Sequence, residues 1–394
     1  MSPYLVLTAA MVAGTAVATI GQAYPTLAPY IRDDLKLSLA AVGLLNTFTY
    51  IGTMLGALPA GWLTDKLGSR TVMVAGTLAG GLMALLVAVF AHSQLSFIPF
   101  LFLVGLVVAS STPAGSQAVA QVFRAEQRGT VIGLRQMAVP LGGAVAAAVL
   151  PAVAHLYGWR WASVAAALIA VVAALVASRL YYEKLPPRPR NPNQPKVSLA
   201  QVLRERNVLL AASSGMFLPT GQFVMITYLI LFLYERLEVP TLTGAALLTV
   251  AQIAGAVSRV FWSWLSDRLG GRRKPLLVLM VALAALSALI LAWLPVITPL
   301  WVKAVVVAVY GATALGWQGL HFSLLTELSP PGWEGRVVGF GLTFTSIGIA
   351  SAPPLFGLLV DWSGNYALGW IAQAGVFGIG ALLLSSVIEK KNQP

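Results

Sequence analysis

Long apolar segments, separated by short polar stretches, occupy almost the whole chain. A helix needs about 20 mostly apolar residues to cross the hydrocarbon core of a bilayer, and each segment meets that length. Their approximate bounds are 4–30, 39–64, 71–91, 97–122, 129–155, 161–182, 207–234, 241–266, 275–295, 300–328, 337–361 and 367–388. The pattern predicts an all-α membrane protein with twelve transmembrane helices, which we number as spans one to twelve.

The longest polar interruption divides these segments into six and six. It runs from residue 183 to residue 206, it is basic, and its prolines favour an extended chain. We therefore expect an N-terminal six-helix bundle over 1–182, a linker over 183–206 and a C-terminal six-helix bundle over 207–394.

Composition supports a membrane protein and excludes several other classes. Charged residues make up 10% of the chain and hydrophobic residues 58%, whereas soluble domains average about 25% charged residues. The lack of cysteine excludes disulfides, thiolate catalysis and cysteine metal sites. The three histidines lack metal-ligand spacing, and the sequence has no nucleophile–base pair or phosphate-binding loop. We therefore expect no metal, no cofactor and no enzymatic activity.

The formal net charge of +12 follows the predicted topology. With both termini in the cytoplasm, the cytoplasmic loops and tails hold 18 of the 25 Lys and Arg residues, and the other side holds five. Cytoplasmic loops of membrane proteins carry such an excess. The bias predicts a multi-pass protein of the inner (cell) membrane with both termini and the linker in the cytoplasm. It also favours contact with anionic membrane lipids over a nucleic-acid partner.

A ten-residue stretch occurs twice, at an offset of 202 residues. Gly61-Trp-Leu-Thr-Asp-Lys-Leu-Gly-Ser-Arg70 reappears as Ser263-Trp-Leu-Ser-Asp-Arg-Leu-Gly-Gly-Arg272, with six identical positions. Each copy follows the second segment of its half. A charged turn at the same point of both halves is typical of a duplicated membrane protein, so we expect a pseudo-two-fold relation between the bundles.

The repeated loop and the six-plus-six arrangement resemble the major facilitator superfamily over nearly the whole chain. The resemblance implies a monomeric secondary transporter that works by alternating access. It also implies that the two loops form a conformational latch, in which Asp65 and Asp267, with Arg70 and Arg272, hold the outward-facing state. In the alternative interpretation, the basic residues of the loops only anchor helix ends to lipid headgroups.

Span five contains a second family-like motif. Gly133-Leu-Arg-Gln-Met-Ala-Val-Pro-Leu-Gly-Gly143 resembles the glycine-proline signature that antiporters of the superfamily carry in that helix. The match is incomplete, because alanine and valine precede Pro140 where a Gly-Pro pair is expected. Antiport therefore stays open. The structural interpretation is that small residues permit close helix packing and that Pro140 bends the span.

Two arginines lie inside predicted spans, whereas all thirteen Asp and Glu residues lie in loops or at helix ends. Arg135 in span five and Arg259 in span eight are about seven and eight residues from their cytoplasmic ends, roughly 10–12 Å deep. An arginine in the hydrocarbon costs at least about 2.5–3.5 kcal/mol and usually faces a cavity with a purpose. Two cations without a counter-ion favour an anionic substrate.

The position of Arg259, eight residues before Asp267, is similar to that of the anion-binding arginine in nitrate and monocarboxylate carriers of the superfamily. The second arginine of nitrate carriers is absent from residues 56–61 in span two, which disfavours nitrate and leaves an organic carboxylate open. The alternative for either arginine is structural, because a guanidinium group can satisfy backbone carbonyls at a broken helix. A guanidinium group held by main-chain oxygens, or turned to water, would remove the argument for an anion.

His321 in span ten is the remaining titratable residue that we expect in a cavity. Trp317 lies one turn earlier on the same face, and Gln318 is nearby. His321 is the candidate proton-coupling group, since no acidic residue lies at mid-span. The alternative is a neutral histidine that bonds another helix. Further polar residues at similar depth complete the predicted substrate site: Gln22, Tyr24, Asn46, Tyr50, Thr112, Gln222, Tyr228, Gln252 and Thr345.

Three function classes follow from these observations. The first is a transporter of a small organic anion, a carboxylate above all, driven by proton symport or anion exchange. The second is a proton-coupled multidrug or cationic-metabolite efflux antiporter, which the span-five motif favours and the lack of mid-span acids disfavours. The third is a membrane receptor or scaffold, which the short loops disfavour, because the longest has about 24 residues. Prolines at span ends, Pro25 with Pro29 and Pro353 with Pro354, predict bends at gates.

Overall fold

The computed structural model describes residues 2–123, 128–182, 205–329 and 334–388, and these residues form a bundle of α-helices. The helices of the N-terminal half are α1 (Pro3–Thr26), α2 (Ala28–Leu35), α3 (Leu39–Leu67), α4 (Ser69–Phe90), α5 (Gln94–Val108), α6 (Ser111–Val122), α7 (Arg128–Gln136), α8 (Ala138–Tyr157) and α9 (Trp159–Leu180). The helices of the C-terminal half are α10 (Arg206–Ser214), α11 (Thr220–Leu237), α12 (Thr241–Arg268), α13 (Arg273–Trp293), α14 (Leu300–Ala314), α15 (Trp317–Leu328), α16 (Glu334–Ser363) and α17 (Tyr366–Ser385).

Eleven of the twelve predicted spans are helical segments long and apolar enough to cross a bilayer. The exception is span seven, which is divided into α10 and α11 by turns over residues 215–219. Gly215 and Pro219 bracket these turns, and a proline cannot donate the N–H that would continue a helix. With nine residues, α10 is only about 14 Å long, half of the hydrocarbon core. The count of twelve continuous helices is therefore not confirmed.

Spans one, four, five and ten are also interrupted, each between two consecutive helices. In three of them a proline lies within the first turn of the second helix: Pro29 in α2, Pro113 in α6 and Pro140 in α8. The first turn accepts proline because its N–H groups have no partner inside the helix. The expected bend at Pro25 and Pro29 is thus a break at Leu27, whereas Pro353 and Pro354 lie inside the continuous α16.

The repeated loops need glycine for their backbone conformation. Gly68, between α3 and α4, has φ of +86°, and Gly270 and Gly271, before α13, both have φ of +76°. Other residues rarely adopt these angles. We call the face that carries residues 61–70 and 263–272 the repeat-loop face, and the other end of the bundle the opposite face. Of the predicted linker over 183–206, residues 183–204 lie outside the described residues, so this domain division stays a prediction.

Two helix pairs form the most extensive contacts between the two halves. Spans two and eleven (α3 and α16) form one pair, and spans five and eight (α8 and α12) form the other. In a duplicated chain, span two corresponds to span eight and span five corresponds to span eleven. The two-fold relation therefore turns one of these helix pairs into the other. Glycines make the first pair close: a Cβ atom at Gly43 would overlap the backbone of Pro353 and Pro354.

Candidate functional site

An ion pair joins the two halves at the opposite face. The Arg32 guanidinium, which follows span one, contacts the Glu235 carboxylate at the end of span seven. The other oxygen of Glu235 accepts a hydrogen bond from the Tyr366 hydroxyl at 2.8 Å, and Arg32 Nε donates to the Leu37 carbonyl at 3.2 Å. These bonds hold both charged groups in place at a contact that must break if the opposite face is to open.

Asp361 forms a second contact between the halves. It lies near the end of span eleven, and its carboxylate oxygens accept hydrogen bonds from the first backbone N–H groups of α3, Leu39 at 3.1 Å and Ala40 at 2.8 Å. These N–H groups have no partner within α3, and the helix dipole favours a negative charge there. Asp361 therefore caps span two from the other half. The sequence places it at a helix end but gives no sign of this role.

Two predicted substrate residues take part in the same closure. The Tyr228 hydroxyl lies within hydrogen-bonding distance of the carbonyls of Leu39 and Pro353, at 2.7 and 2.8 Å. Asn46 Nδ2 donates to the carbonyl of Ile349 at 3.1 Å, between spans two and eleven. In this conformation both side chains connect the halves. We refer to the contacts of Arg32–Glu235, Asp361, Tyr228 and Asn46 together as the opposite-face closure.

A pair of predicted site glutamines connects the halves at the centre of the molecule. Gln252 Nε2 of span eight donates to Gln22 Oε1 of span one at 2.8 Å, and Gln22 Nε2 donates to the Val139 carbonyl of span five at 2.9 Å. Gly143 leaves the room for both amides, because a Cβ atom there would overlap them. Gln252 Oε1 is buried without a hydrogen-bond partner among the described residues, so it is free to accept one.

Arg259 is buried, and its guanidinium group is held by three oxygen atoms. Nε donates to the Leu315 carbonyl at 3.1 Å, while Nη1 donates to the Gln136 carbonyl at 3.0 Å and to Gln318 Oε1 at 2.8 Å. Two of these acceptors are main-chain oxygens at helix breaks. The structural alternative, a guanidinium group that satisfies backbone carbonyls at a broken helix, describes Arg259 in this conformation. The argument for an anion from the arginine pair therefore no longer holds.

Arg135 differs from Arg259, because two of its guanidinium nitrogens lack hydrogen-bond partners among the described residues. Only 3% of the residue is exposed, and Nε and Nη2 are buried without a hydrogen-bond partner among the described residues. The group lies against Gly115 of span four, where a Cβ atom would meet Arg135 Nη1 at 3.1 Å. The expectation of a buried cation without a counter-ion thus describes Arg135.

His321 contacts the end of α10, where span seven is interrupted. Its Nε2 lies 2.8 Å from the Ala211 carbonyl, one of the last four carbonyls of that helix, which lack intrahelical donors. Nδ1 is buried without a hydrogen-bond partner in the described part of the chain, and the same holds for Nε1 of Trp317. The rings of Trp317 and His321 lie 5.8 Å apart, so the predicted shared face is confirmed, while Gln318 bonds Arg259.

The remaining predicted site residues lie in different places. Tyr24 is fully buried inside the N-terminal half against Phe97 of span four. Tyr50 packs on Phe223 of span seven, with ring centroids 4.6 Å apart, and it is near enough to Arg259 for an electrostatic interaction. Tyr50 also lines an apolar cavity of about 440 Å³ between spans two and eleven. The others are distributed as follows: Gln222 is buried in α11, Thr345 is buried in α16, and Thr112 is exposed.

The residues of the repeated loops bond within their own halves. Asp65 accepts a hydrogen bond from Gln117 Nε2 at 3.2 Å. Arg70 donates to the carbonyls of Tyr181 and Ser178, at the end of span six, at 2.6 and 3.0 Å. The latch role that the resemblance implies for these residues stays a prediction.

In the second repeated loop, Arg273 rather than the expected Arg272 pairs with Asp267. Asp267 pairs with Arg273 Nη1 at 2.7 Å, and Arg273 Nε reaches Glu327 at 3.1 Å. Arg272 is exposed. The sequence reading missed Arg273, although it belongs to the same basic run, because the repeat ends one residue earlier.

One loop carboxylate at the opposite face has a perturbed pKa. Asp34 accepts hydrogen bonds from Trp159 Nε1 at 2.9 Å and from Arg160 Nη1 at 2.8 Å. The Trp159 hydrogen bond is the main cause that lowers the pKa of Asp34 below its ordinary value, and the charge of Arg160 adds to it. The pair ties the end of span one to the start of span six within the N-terminal half.

Two helical halves, closed against each other at one face, are typical of an alternating-access type of membrane transporter. The sequence profile of the Major Facilitator Superfamily matches residues 6–353. An uncharacterised MFS-type transporter of Mycobacterium tuberculosis is 31% identical over 364 residues, which cover 92% of this chain and 80% of the relative. The chain therefore belongs to the Major Facilitator Superfamily, which confirms the predicted family and the expectation of a transporter rather than an enzyme.

Two further comparisons bear on substrate and fold. The gentisate transporter of Corynebacterium glutamicum is 24% identical over 380 residues, which cover 91% of this chain and 81% of that protein. A solved bacterial homologue of the human lysosomal transporter Spinster, in an inward-facing and occupied conformation, matches 100% of this chain and 99% of its own. The TM-score is 0.80 at 18% identity, so this similarity concerns the fold.

Proposed function

We propose that the protein carries small organic anions, and carboxylates above all, across the inner membrane by alternating access. The observation that carries this proposal is the buried Arg135 guanidinium, whose Nε and Nη2 lack hydrogen-bond partners among the described residues. A carboxylate can accept two parallel hydrogen bonds from such a group. The substrate then supplies the negative charge and the hydrogen-bond acceptors for Arg135.

The energetics favour an anion over a neutral molecule. A buried charge without a partner costs several kcal/mol, and a bidentate carboxylate with good geometry recovers much of that cost. The acidic residues of the described helices lie at helix ends, so within this part of the chain a carboxylate does not compete for Arg135 at mid-span. The named substrate of the gentisate transporter, itself a carboxylate, supports the same class.

Arg259 can bind the substrate only after its present hydrogen bonds break. It contributes to anion binding only when its guanidinium leaves the Gln136 and Leu315 carbonyls that hold it here. Gln318 Oε1 and Tyr50 lie near Arg259. With Gln252, seven residues earlier on the same side of span eight, they complete the proposed polar lining. Arg135 is therefore the residue on which the substrate class depends, and Arg259 is secondary.

Transport requires the opposite-face closure to open and the repeat-loop face to close. The excess of Lys and Arg on the repeat-loop side predicts that this side is cytoplasmic, so the closed opposite face would be the extracellular one. We expect the Asp65 and Asp267 loops to make their contacts between the halves in the other state. Breaking a few bonds worth a few kcal/mol is sufficient to exchange the populations.

Proton symport is the proposed driving reaction, with anion exchange as the alternative. His321 supports coupling by its position, because a proton on its free Nδ1 would place a positive charge where span seven is interrupted. Loss of stimulation by an inward proton gradient in His321→Gln, with anion exchange intact, would support this role. A gradient effect that survives the substitution would remove it.

A proton-coupled exporter of apolar cations is the second candidate. The specific observation in its favour is the apolar cavity of about 440 Å³ beside Tyr50. The buried charge of Arg135 opposes it, because a cation would be repelled from that position. A substrate panel that contains both lipophilic cations and small carboxylates separates the two functions.

The test is uptake by proteoliposomes of gentisate and smaller carboxylates. Arg135→Gln removes the charge and leaves a shorter side chain that ends in a polar amide. Because it also removes a buried charge, we expect no loss of folding stability. We expect uptake to fall by at least about tenfold, as loss of a charged hydrogen bond predicts. The matched control is Arg179→Gln, because Arg179 is exposed at the end of span six. Uptake that stays intact in Arg135→Gln would contradict the proposal.

A further inference from the structure

Span five is interrupted at Pro140, and the carbonyl that this proline leaves unpaired accepts the Arg259 hydrogen bond. In a continuous helix the N–H of residue 140 would donate to the carbonyl of residue 136. Proline has no N–H, so the Gln136 carbonyl lacks its intrahelical donor. α7 ends at Gln136, and Met137 instead bonds the Leu134 carbonyl at 3.0 Å.

We infer that Pro140 is a positioning residue, which creates the acceptor for Arg259 and thereby couples the two halves in the conformation closed at the opposite face. The coupling unit consists of the Gln136 carbonyl, the Leu315 carbonyl and Gln318 Oε1, and we call it the Arg259 dock. The inference concerns conformational equilibrium and does not rest on the substrate proposed above.

The other two acceptors come from the break in span ten. Leu315 follows the last residue of α14, so its carbonyl lies at the negative end of that helix, where a cation is favoured. Gln318 lies in the first turn of α15. Gly255 lets span eight approach, because a Cβ atom there would meet Leu315 Cδ2 at 2.6 Å. Two broken helices from different halves thus share one guanidinium group.

A guanidinium group suits this position better than an ammonium group. It presents donors in a fixed planar fork, so Nε and Nη1 can address acceptors on two helices together. A lysine at the same place offers one point charge on a longer, more flexible stem. We therefore expect Arg259→Lys to retain the charge but to lose the simultaneous contact with both halves.

The Gln22–Gln252 hydrogen bonds reach the same turn of span five. Gln22 bonds the carbonyl of Val139, next to Pro140, and Gln252 is seven residues before Arg259, on the same side of span eight. The direct bond of Arg259 to Gln136, and the connection from Gln252 to Val139 through Gln22 of span one, therefore both depend on the local shape at Pro140. Straightening this turn by Pro140→Ala should restore the N–H at residue 140 and withdraw the Gln136 carbonyl from Arg259.

The test measures the distance between the halves at the opposite face. Because the chain has no cysteine, spin labels can be attached to two introduced residues, Asp33→Cys and Trp362→Cys, both exposed and in different halves. We expect Pro140→Ala to raise the ratio of long to short distances about tenfold, as the loss of a hydrogen bond to a charged group predicts. Arg259→Lys should give a similar shift, and the double variant should give no more than either single variant.

Controls separate this coupling from a general loosening of the helix. Pro151→Ala changes the other internal proline of α8, 11 residues and about 16 Å further along, and should leave the distance distribution unchanged. If Pro140→Ala does not fold, Gln318→Ala removes a dock acceptor without touching span five and should shift the ratio in the same direction. Unchanged distances in Pro140→Ala, equal shifts in Pro151→Ala, or additive effects of Pro140→Ala and Arg259→Lys would overturn the inference.

Discussion

Removing the negative charge of Asp361 should open the opposite face. In the structure the two carboxylate oxygens accept from Leu39 N and Ala40 N, at 3.1 and 2.8 Å, across the boundary between the halves. Asp361→Asn keeps one acceptor oxygen, so one of the two bonds is lost and the other becomes neutral. The interaction of the negative charge with the dipole of α3 is lost as well.

The magnitude follows from comparable helix caps. Loss of an N-cap interaction costs about 0.5–2 kcal/mol, and a charge at a helix end contributes a further 0.3–1 kcal/mol. Because Asp361 is exposed, we take about 1–2 kcal/mol for the variant. This contact exists only when the halves are closed at this face, so the whole loss falls on the closed state. The ratio of open to closed molecules should rise about 5- to 30-fold.

Alkylation of a single introduced cysteine measures this ratio. Ile226 is 1% exposed and belongs to a cluster with Phe223, Ile349 and Tyr50, which come from both halves. Ile226→Cys should react slowly with a membrane-impermeant maleimide, and Asp361→Asn should raise that rate by the factor given above. Asp33→Asn is the matched control, because it removes an exposed charge from the same face. An unchanged rate in Asp361→Asn, or an equal rise in Asp33→Asn, would refute the reasoning.

Two further predictions concern charges at the opposite face. Arg32→Glu and Glu235→Arg should each raise the alkylation rate of Ile226→Cys by up to about fivefold, as for partly exposed ion pairs, and the exchanged double variant should return it toward the parent rate; no recovery in the double variant would argue against a direct pair. The Trp159 hydrogen bond lowers the pKa of Asp34 in the folded protein. The ionised Asp34 carboxylate therefore contributes fully to stability above its ordinary pKa near 4, and this contribution is lost as the pH falls through the lowered pKa. Thermal unfolding followed from about pH 6 to about pH 3 should therefore show a smaller decline in Asp34→Asn than in the parent, and parallel declines would contradict this assignment.

The spans and their pairing could largely be predicted from the sequence. A run of about 20 apolar residues has few alternatives to a membrane helix, and the repeated loop defines the correspondence between the halves. Span seven was predicted as one helix because its hydrophobic run continues through residues 215–219. Gly215 and Pro219 were the available signals of the interruption, but hydropathy alone gives these two residues little weight.

The partners of the intramembrane arginines could be predicted only in part. Both arginines were found by their charge, yet a sequence does not show which carbonyls another helix leaves unpaired. Pro140 indicates that the Gln136 carbonyl is free, but only the packing of span eight against span five brings Arg259 to it. The sequence therefore did not show how the two arginines differ. Backbone carbonyls hold the guanidinium group of Arg259, whereas Nε and Nη2 of Arg135 lack partners among the described residues.

Contacts between the halves were the least predictable part of the site. Asp361 lies near a helix end, where charged residues are ordinary, and its partner Leu39 is 322 residues away. Tyr228 and Asn46 were assigned to substrate binding because they are polar and lie within spans. In this conformation their hydrogen bonds connect the two halves, a role that depends on which face is closed.

Binding of a carboxylate to the purified protein tests the central claim most directly. Isothermal titration with gentisate, at a pH where the acid is ionised, compares the parent with Arg135→Gln. The account predicts saturable binding to the parent, weakened at least about tenfold in the variant, with no binding of the uncharged methyl ester. Equal affinity of the parent and the variant for the anion would contradict the claim that Arg135 binds an anionic substrate.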